Sequence, residues 1–335
     1  MNDVPDSRPS SLASSPAAES HESHSEPLCE FRDVCKWYGP VIGLNDVSFR
    51  LHPGITGLVG HNGAGKSTLI KLLTGQLRPS LGSVEIRGRR AWSAAAKRHI
   101  GYCPDRDAMY EEMSGRAFVE TLARLHGFSA RDARARTADQ LVRVGMADRA
   151  DRPLRTYSKG MRQRIKLAQA LVHNPDLVVL DEPLNGVDPV GRLELLDLFR
   201  SLASQGKAVL VSSHILDEMD SLADQILFIC RGRLLASGSL AQIRAMLDRF
   251  PLKLRIQSRD ARRLASLLLP LPDVRSIELA SPDELVLEVE RAAEFFPQFA
   301  AIVGREGFDP ERLEVLDAST EAVFDYLMRT VTHPW

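Results

Sequence analysis

Short apolar runs alternate with helix-like segments along the first two thirds of the chain. Runs typical of buried strands lie at 54–60 (GITGLVG), 99–103 (HIGYC), 177–181 (LVVLD) and 208–213 (AVLVSS). Apolar residues at helical spacing lie between these runs, as in KSTLIKLLTG at 66–75, a helix that Gly75 would close. Because strands that alternate with helices indicate βαβ units, we predict an α/β core with a parallel sheet.

Two other regions show different patterns. Between Met109 and Val172 only helical periodicity is found, which predicts a helical subdomain at about 105–174 within the core. Beyond Leu247, strand and helix patterns follow in the order βαββαβ, and this order predicts a small α+β, ferredoxin-like accessory domain at 250–335. The strands lie at 252–257, 274–280, 284–290 and 311–318, the helices at 259–269 and, despite Pro297, at 292–307, with a last helix in TEAVFDYLMRT.

The N-terminal segment has a composition unlike the rest. Residues 1–27 contain eight serines and four prolines and almost no bulky apolar side chain. Such a segment buries too little surface to offset its ordering entropy, so we predict a disordered tail at 1–27. The main domain is then expected at 28–247.

Charge, cysteines and hydropathy exclude several classes of protein. The net charge of −1 gives no bulk attraction to nucleic acid or anionic lipid. The four cysteines form no CxxC pair, which disfavours a disulfide framework or zinc knuckle and favours a reducing cytoplasm. No apolar run approaches the ~18 residues that cross a bilayer. Any membrane function is therefore expected to act through a partner.

A glycine-rich loop connects the first buried strand to a helix. GHNGAGKST (60–68) fits the pattern G-x-x-x-x-G-K-[ST] in the strand–loop–helix context that phosphate binding requires. Its backbone amides would surround phosphate oxygens, Lys66 would reach the β- and γ-phosphates, and Ser67 would bind Mg²⁺. The alternative is a coincidental glycine turn. The predicted nucleotide contacts in this loop are Gly60, His61, Asn62, Gly63, Ala64, Gly65, Lys66, Ser67 and Thr68.

An acidic pair ends a later apolar strand, in LVVLDE (177–182). Asp181 would hold magnesium, through water, and Glu182 would polarise the water that attacks the γ-phosphate. A strand followed by an acidic turn is the alternative, and the phosphate loop makes it the weaker one.

A second helix start, in TYSKGMRQR (156–164), also has the features of an anion site. Ser158 and the first amides of the helix after Gly160 would bind phosphate, while an apolar stripe of Met161, Ile165, Ala168 and Val172 packs on the core. On this interpretation Arg162, Gln163 and Lys166 lie elsewhere on the helix, off the apolar stripe. The alternative is an ordinary Ser-capped helix.

The motifs GHNGAGKST, YSKGMRQR, LVVLDEPLNGVDP and VSSHIL, in this order, resemble those of ABC ATPases over about residues 28–247. The resemblance implies a P-loop NTPase core of the RecA type, with an antiparallel β patch and a helical subdomain. It also implies that Ser158, Gly160 and Met161 face the ATP of a second subunit in a head-to-tail dimer.

Three further positions acquire roles from the resemblance. Tyr38 is similar to the aromatic residue that stacks on adenine. The alternatives are that Tyr38 is a buried or capping tyrosine, or that neighbouring Trp37 stacks instead. His214 is similar to the histidine that contacts the γ-phosphate and aligns Glu182, with a core histidine as the alternative. Asp188 is similar to the acid that couples the two sites, and it could also cap a helix.

Two positions depart from the family pattern. The signature reads YSKGM where LSGGQ is usual, a variation similar to that of exporter ATPases with a separate permease and a C-terminal accessory domain. Asp105 stands where a glutamine more often touches Mg²⁺, so its assignment as a metal ligand is open.

The leading hypothesis is the ATPase subunit of an ABC exporter, using ATP and Mg²⁺. As a homodimer it would dock on a separate multi-span permease at the inner face of the cell membrane, through a groove at about 105–113, with no nucleic acid as partner. The alternatives are a soluble ABC ATPase acting on a ribosome or nucleic-acid complex, and a binding protein without hydrolysis. The substrate stays open.

Overall fold

The computed structural model describes residues 26–214, 217–245 and 251–316. Most of the predicted tail and the last predicted helix, in TEAVFDYLMRT, lie outside these residues.

The described residues form fourteen strands and ten α-helices. The strands are β1 Cys29–Tyr38, β2 Val41–Leu51, β3 Gly54–Val59, β4 Leu81–Ile86, β5 Arg89–Arg90, β6 Ile100–Cys103, β7 Leu177–Asp181, β8 Ala208–Ser213, β9 Gln225–Cys230, β10 Arg233–Gly238, β11 Leu252–Gln257, β12 Val274–Ser281, β13 Glu284–Val289 and β14 Arg312–Val315. The helices are α1 Lys66–Leu73, α2 Ala94–Lys97, α3 Gly115–Leu125, α4 Ala130–Arg143, α5 Lys159–Leu171, α6 Pro189–Ser204, α7 Asp217–Leu222, α8 Leu240–Ala245, α9 Ala261–Leu268 and α10 Ala292–Glu306.

The core contains a six-stranded sheet in the order β10-β9-β3-β8-β7-β6. Five of its strands are parallel neighbours and β10 runs antiparallel to β9. The predicted runs GITGLVG, HIGYC, LVVLD and AVLVSS all lie in this sheet. Because the strands are parallel, the carboxyl ends of β3, β7 and β8 meet at one edge, where ligands bind in open α/β sheets.

A second, antiparallel sheet has the order β2-β1-β4-β5 and forms the predicted β patch. Phe31 and Phe49 stack within it, with ring centroids 4.4 Å apart. The apolar residues of α1 belong to the same buried cluster as those of this sheet. The start of α1 is thereby held between the two sheets.

Three helices occupy the predicted helical subdomain, where α3, α4 and α5 pack on one another. Ser114, Ser129 and Ser158 cap these helices through side-chain hydrogen bonds to backbone amides. One detail of the sequence interpretation is wrong. Gln163 and Lys166 do not lie off the packed face, because both are buried, with polar contacts from Gln163 to the Cys103 thiol and from Lys166 to Pro104.

The C-terminal region contains the predicted βαββαβ order of elements. Its sheet has the strand order β12-β13-β11-β14 with every neighbouring pair antiparallel. Apolar residues of β11 and β13, with α9 and α10, form a separate buried cluster. Pro297 lies inside α10, as expected. The topology fits a ferredoxin-like domain, and that classification stays a prediction.

None of the helices in the described part of the chain is long and apolar enough to cross a membrane. All four cysteines are buried and none forms a disulfide bond.

Candidate nucleotide-binding site

The glycine-rich loop connects β3 to α1, and its shape depends on glycine. Gly63 and Gly65 have φ values of 82° and 115°, in the left-handed region that L side chains rarely adopt. A Cβ added to Gly65 would lie 2.9 Å from the carbonyl oxygen of Gly43. Gly65 is also the N-cap of α1 and provides no side-chain hydrogen bond to its first amides. These amides are thus left to a ligand, and the helix dipole favours an anion.

A cleft of about 380 Å³ opens in front of this helix start. It is lined by Tyr38, Val41, Ile42, Gly43, His61, Asn62, Gly63, Gly65, Lys66, Ser67, Thr68, Asp105, Asp181 and Glu182. Most of the predicted nucleotide-binding residues are therefore brought together on one surface.

Two residues of the predicted loop set are placed differently. Ala64 is buried and packs with the apolar core, so it shapes the loop from behind. Gly60 leaves no room for a side chain, because a Cβ there would meet the backbone of Ile229. The Gly60 carbonyl accepts a hydrogen bond from the ammonium of Lys66.

Tyr38 rather than Trp37 lies on the wall of the cleft. The Tyr38 ring covers Gly43, since a Cβ on that glycine would lie 2.8 Å from Tyr38 Cε2. The Tyr38 hydroxyl lies 3.5 Å from Thr68 Oγ1. The ring, nearly half exposed at 45%, offers an aromatic face next to the phosphate loop.

Lys66 brings a buried positive charge to the cleft. Its Nζ lies 3.9 Å from Glu182 Oε1. Burial lowers the pKa of Lys66, while the carboxylates of Glu182 and Asp181 oppose that shift. An anion that approached the helix start would meet this ammonium.

Asp181 is held in place by a serine of the neighbouring strand. Ser212 Oγ donates to Asp181 Oδ1 at 2.8 Å and accepts from the backbone N–H of Glu182 at 2.9 Å. Burial raises the pKa of Asp181, with the charges of Asp105 and Glu182 adding to the shift. The acidic end of β7 is therefore a crowded group of carboxylates beside Lys66.

Glu182 is paired with His214 at the carboxyl ends of β7 and β8. His214 Nδ1 lies 2.8 Å from Glu182 Oε2. Glu182 has a φ of 49°, a strained value for a residue that is not glycine. Such strain costs on the order of 1–3 kcal/mol and concentrates at functional sites. The bend turns the carboxylate toward both Lys66 and the histidine.

Asp105 lies on the wall of the same cleft, close enough to Asp181 to affect its pKa. Within the described residues, no group of three or more histidine, cysteine, aspartate or glutamate side chains could hold a metal ion alone. Ser67 and Asp181 offer a hydroxyl and a carboxylate, the hard oxygen ligands that Mg²⁺ takes together with nucleotide phosphates. The residues present fit a magnesium ion that arrives with a nucleotide.

The residues that were predicted to act toward a second subunit lie outside this cleft. Ser158, Gly160, Met161 and Asp188 do not line the cleft. Ser158 Oγ accepts a hydrogen bond from the Met161 N–H at 3.3 Å, so Ser158 is the N-cap of α5. Asp188 Oδ1 accepts from the Gly191 N–H at 2.9 Å and caps α6, and this bond lowers its pKa. Both capping alternatives are therefore present, without excluding a role toward a second subunit.

Sequence reasoning missed Ser212 and the apolar wall formed by Val41 and Ile42. Ser212 pairs directly with Asp181 in the parallel β7–β8 ladder, and a polar residue ending an apolar strand was the available signal. Val41 and Ile42 are more than half exposed at 62% and 51% although they are apolar strand residues. No pattern in the sequence indicated that exposure.

Comparison with known proteins agrees with this geometry. Residues 44–185 match the sequence model of the family described as "ABC transporter". An ABC transporter ATP-binding protein of Nostoc sp. is 40% identical over 61% of this chain, which spans 62% of that protein's length. The daunorubicin resistance ATP-binding protein DrrA3 of Streptomyces coeruleorubidus is 40% identical, over 63% of this chain and 67% of its own. The structure of an ATP-binding subunit of an ABC transporter has a TM-score of 0.61 and 30% identity, covering 66% of this chain and 93% of the other.

The cleft is lined by the glycine-rich loop, Asp181 and Glu182, and Glu182 is in turn paired with His214, as expected for a nucleotide-binding site of the ABC type. The chain belongs to the ATP-binding proteins of the ABC transporter family.

Proposed function

We propose that this protein hydrolyses ATP and thereby powers export through a separate multi-span permease. The observation that carries hydrolysis is the pairing of His214 Nδ1, at 2.8 Å, with Glu182, a carboxylate that lines the same cleft as Lys66. A carboxylate oriented by a histidine suits a group that polarises an attacking water. The name of the Streptomyces relative, a daunorubicin resistance protein, supports export.

Each residue of the cleft has a proposed task. The amides of the glycine-rich loop and Lys66 bind and neutralise the phosphates, and Tyr38 stacks on the base. Ser67 and Asp181 would hold Mg²⁺, which would supply positive charge to the phosphates. Glu182 accepts a proton from the attacking water, and His214 fixes its position.

The second helix start completes the site in trans. We place Ser158, Gly160 and Met161 of one subunit against the nucleotide of another in a head-to-tail homodimer, with Asp188 between the two sites. Separation of these residues from the cleft of their own chain supports this arrangement. The protein then works at the inner face of the membrane through its permease.

Phosphate release tests the enzymatic part of the proposal. We expect Glu182→Gln to lower the rate of hydrolysis by on the order of 10²- to 10⁴-fold, because the general base is lost, while ATP still binds. Glu120→Gln is the matched control, since Glu120 lies on α3 in an ion pair with Arg134 and does not line the cleft. Equal, background rates for wild type and Glu182→Gln would contradict hydrolysis.

Affinity capture tests the transport part. Tagged Glu182→Gln protein, taken from detergent-solubilised membranes with Mg-ATP, is expected to retain a multi-span membrane protein. Capture of ribosomes or nucleic acid instead would favour the soluble, non-transport alternative.

A further inference from the structure

Lys166 is a buried lysine that the proposed catalytic mechanism does not use. It lies on α5, eight residues after the Ser158 cap, with its side chain only 6% exposed. Its Nζ donates to the carbonyl oxygens of Pro104 and Asp105, at 2.9 and 3.0 Å, and lies 2.9 Å from Asp107 Oδ1. One ammonium thus satisfies three acceptors of the loop that follows β6.

A second basic residue of α5 fastens the far end of the same loop. Arg162 forms a two-pronged ion pair with Glu111, with both nitrogen–oxygen distances at 2.7 Å. Arg162 and Lys166 are four residues apart and so lie on one side of the helix. Backbone hydrogen bonds from Leu154 to Met113 and from Arg155 to Glu111 add to this connection. Loop 104–113 is therefore tied to the helix that starts at the signature.

The loop also reaches the nucleotide cleft. Asp105, whose carbonyl accepts from Lys166, lines the cleft with Lys66, Asp181 and Glu182. Asp105 and Asp181 line the same cleft, so the carboxylate of Asp105 lies on the wall that also contains the acidic end of β7. A displacement of the loop backbone at residue 105 would change the charges around the phosphate end of the cleft.

We propose that Lys166 is a positioning residue: it sets Asp105 in the cleft and couples loop 104–113 to the signature helix α5. The inference rests on the proposed function, ATP hydrolysis in this cleft. Lys166 acts through the loop and does not touch the nucleotide. Arg162 and Glu111 form the second anchor of the same connection.

Substitution by methionine tests the role of Lys166 because it keeps length and apolar contacts but removes the three donated bonds. Lys207→Met is the matched control. Lys207 is also buried, and its Nζ donates to Asn174 Oδ1 and to the Pro175 carbonyl, at 2.8 and 2.6 Å. It lies just before β8, at the sheet edge opposite the cleft. Both variants leave buried acceptors without a donor, so we expect both to lower the thermal midpoint to a similar extent.

Hydrolysis and hydrogen exchange are expected to separate the two variants. Lys166→Met should lower kcat on the order of ten- to a hundredfold relative to Lys207→Met, because small displacements of a cleft group are costly. The backbone amides of loop 104–113 should exchange faster in Lys166→Met than in Lys207→Met. Asp105→Asn should lower kcat in the wild-type background and change it less than twofold in the Lys166→Met background, since residues that act together are not additive.

Equal kcat values for the two lysine variants, equal exchange of the loop, or additive effects of Asp105→Asn and Lys166→Met would each overturn the proposal. If the wild-type protein does not hydrolyse ATP, the proposed function fails instead. The exchange comparison then still decides whether Lys166 holds the loop.

Discussion

Two helices of this protein begin at sites with the features of a phosphate-binding turn, and they are built differently. The start of α1 follows Gly65, which gives no side-chain cap. Lys66, Asp181 and Glu182 line the cleft in front of it, and His214 pairs with Glu182. The start of α5 is capped by its own Ser158, and it lies outside the cleft. The first site is assembled within one chain. The second has the donors of an anion site without the acids and the histidine, which is what we expect of a surface that completes another subunit's site.

The largest expected effect is on the rate of ATP hydrolysis, and it distinguishes the roles of the two helix starts. Gly160→Asp should lower hydrolysis on the order of 10²-fold, because a carboxylate at the start of α5 repels the phosphate proposed to lie there. It should leave ATP binding to a single chain unchanged, whereas Lys66→Ala should weaken that binding. Space is not the cause, since a Cβ at Gly160 meets nothing within 4 Å. Fluorescent nucleotide binding and phosphate release measure the two quantities.

Gly160→Asn, which is similar in size and uncharged, is the control for this prediction. A loss of single-chain ATP binding in Gly160→Asp as large as in Lys66→Ala would mean that the second start belongs to the cleft of its own chain.

A smaller effect, on stability, distinguishes the same two starts. Gly65→Ala should destabilise the fold by about 1–2 kcal/mol or more, since alanine is strained at a left-handed φ and its Cβ would approach the Gly43 carbonyl. Gly160→Ala should instead stabilise it by up to about 1 kcal/mol, because Gly160 lies inside α5 with open space around it. Urea unfolding without nucleotide measures both, and equal midpoints would contradict the difference in backbone geometry.

Much of this contrast could be predicted from the sequence because it depends on local rules. Short apolar runs predicted four of the six strands of the core sheet, β3, β6, β7 and β8. Motif spacing alone singled out Lys66, Asp181 and Glu182. Parallel strands then require that residues at their carboxyl ends meet, which is why the prediction for His214 agrees with its contact to Glu182.

The parts that could not be predicted depend on packing between distant segments. The burial of Lys166 could not be predicted because its acceptors, the carbonyls of Pro104 and Asp105, lie about sixty residues earlier in the chain. Ser212 was passed over for the same reason, since only the register of β7 against β8 shows that it bonds to Asp181. A helical stripe identifies apolar contacts, and it gives no information about a buried lysine with polar partners.

The smallest effect is a pH dependence with opposite signs at Asp181 in the cleft and at Asp188, the N-cap of α6 outside it. Burial raises the folded-state pKa of Asp181 above its ordinary value of 3.8, so its stabilising contribution is full below that pH and is lost as the pH rises through the folded pKa. The hydrogen bond to the Gly191 N–H lowers the pKa of Asp188, so its contribution is present above pH 3.8 and is lost as the pH falls through its folded pKa.

At neutral pH, Asp181→Asn should therefore be more stable than wild type and Asp188→Asn slightly less stable. The Asp181 difference should shrink as the pH falls through its raised folded pKa toward 3.8, whereas the Asp188 difference should shrink only below pH 3.8. Urea midpoints of the nucleotide-free protein, measured with a chelator between pH 7 and pH 3, provide the comparison. An Asp181→Asn variant that is less stable than wild type at pH 7 would show that the Asp181 carboxylate stabilises the fold. The cleft would then lack the buried, unfavourable charge by which we distinguish the cleft from the second helix start.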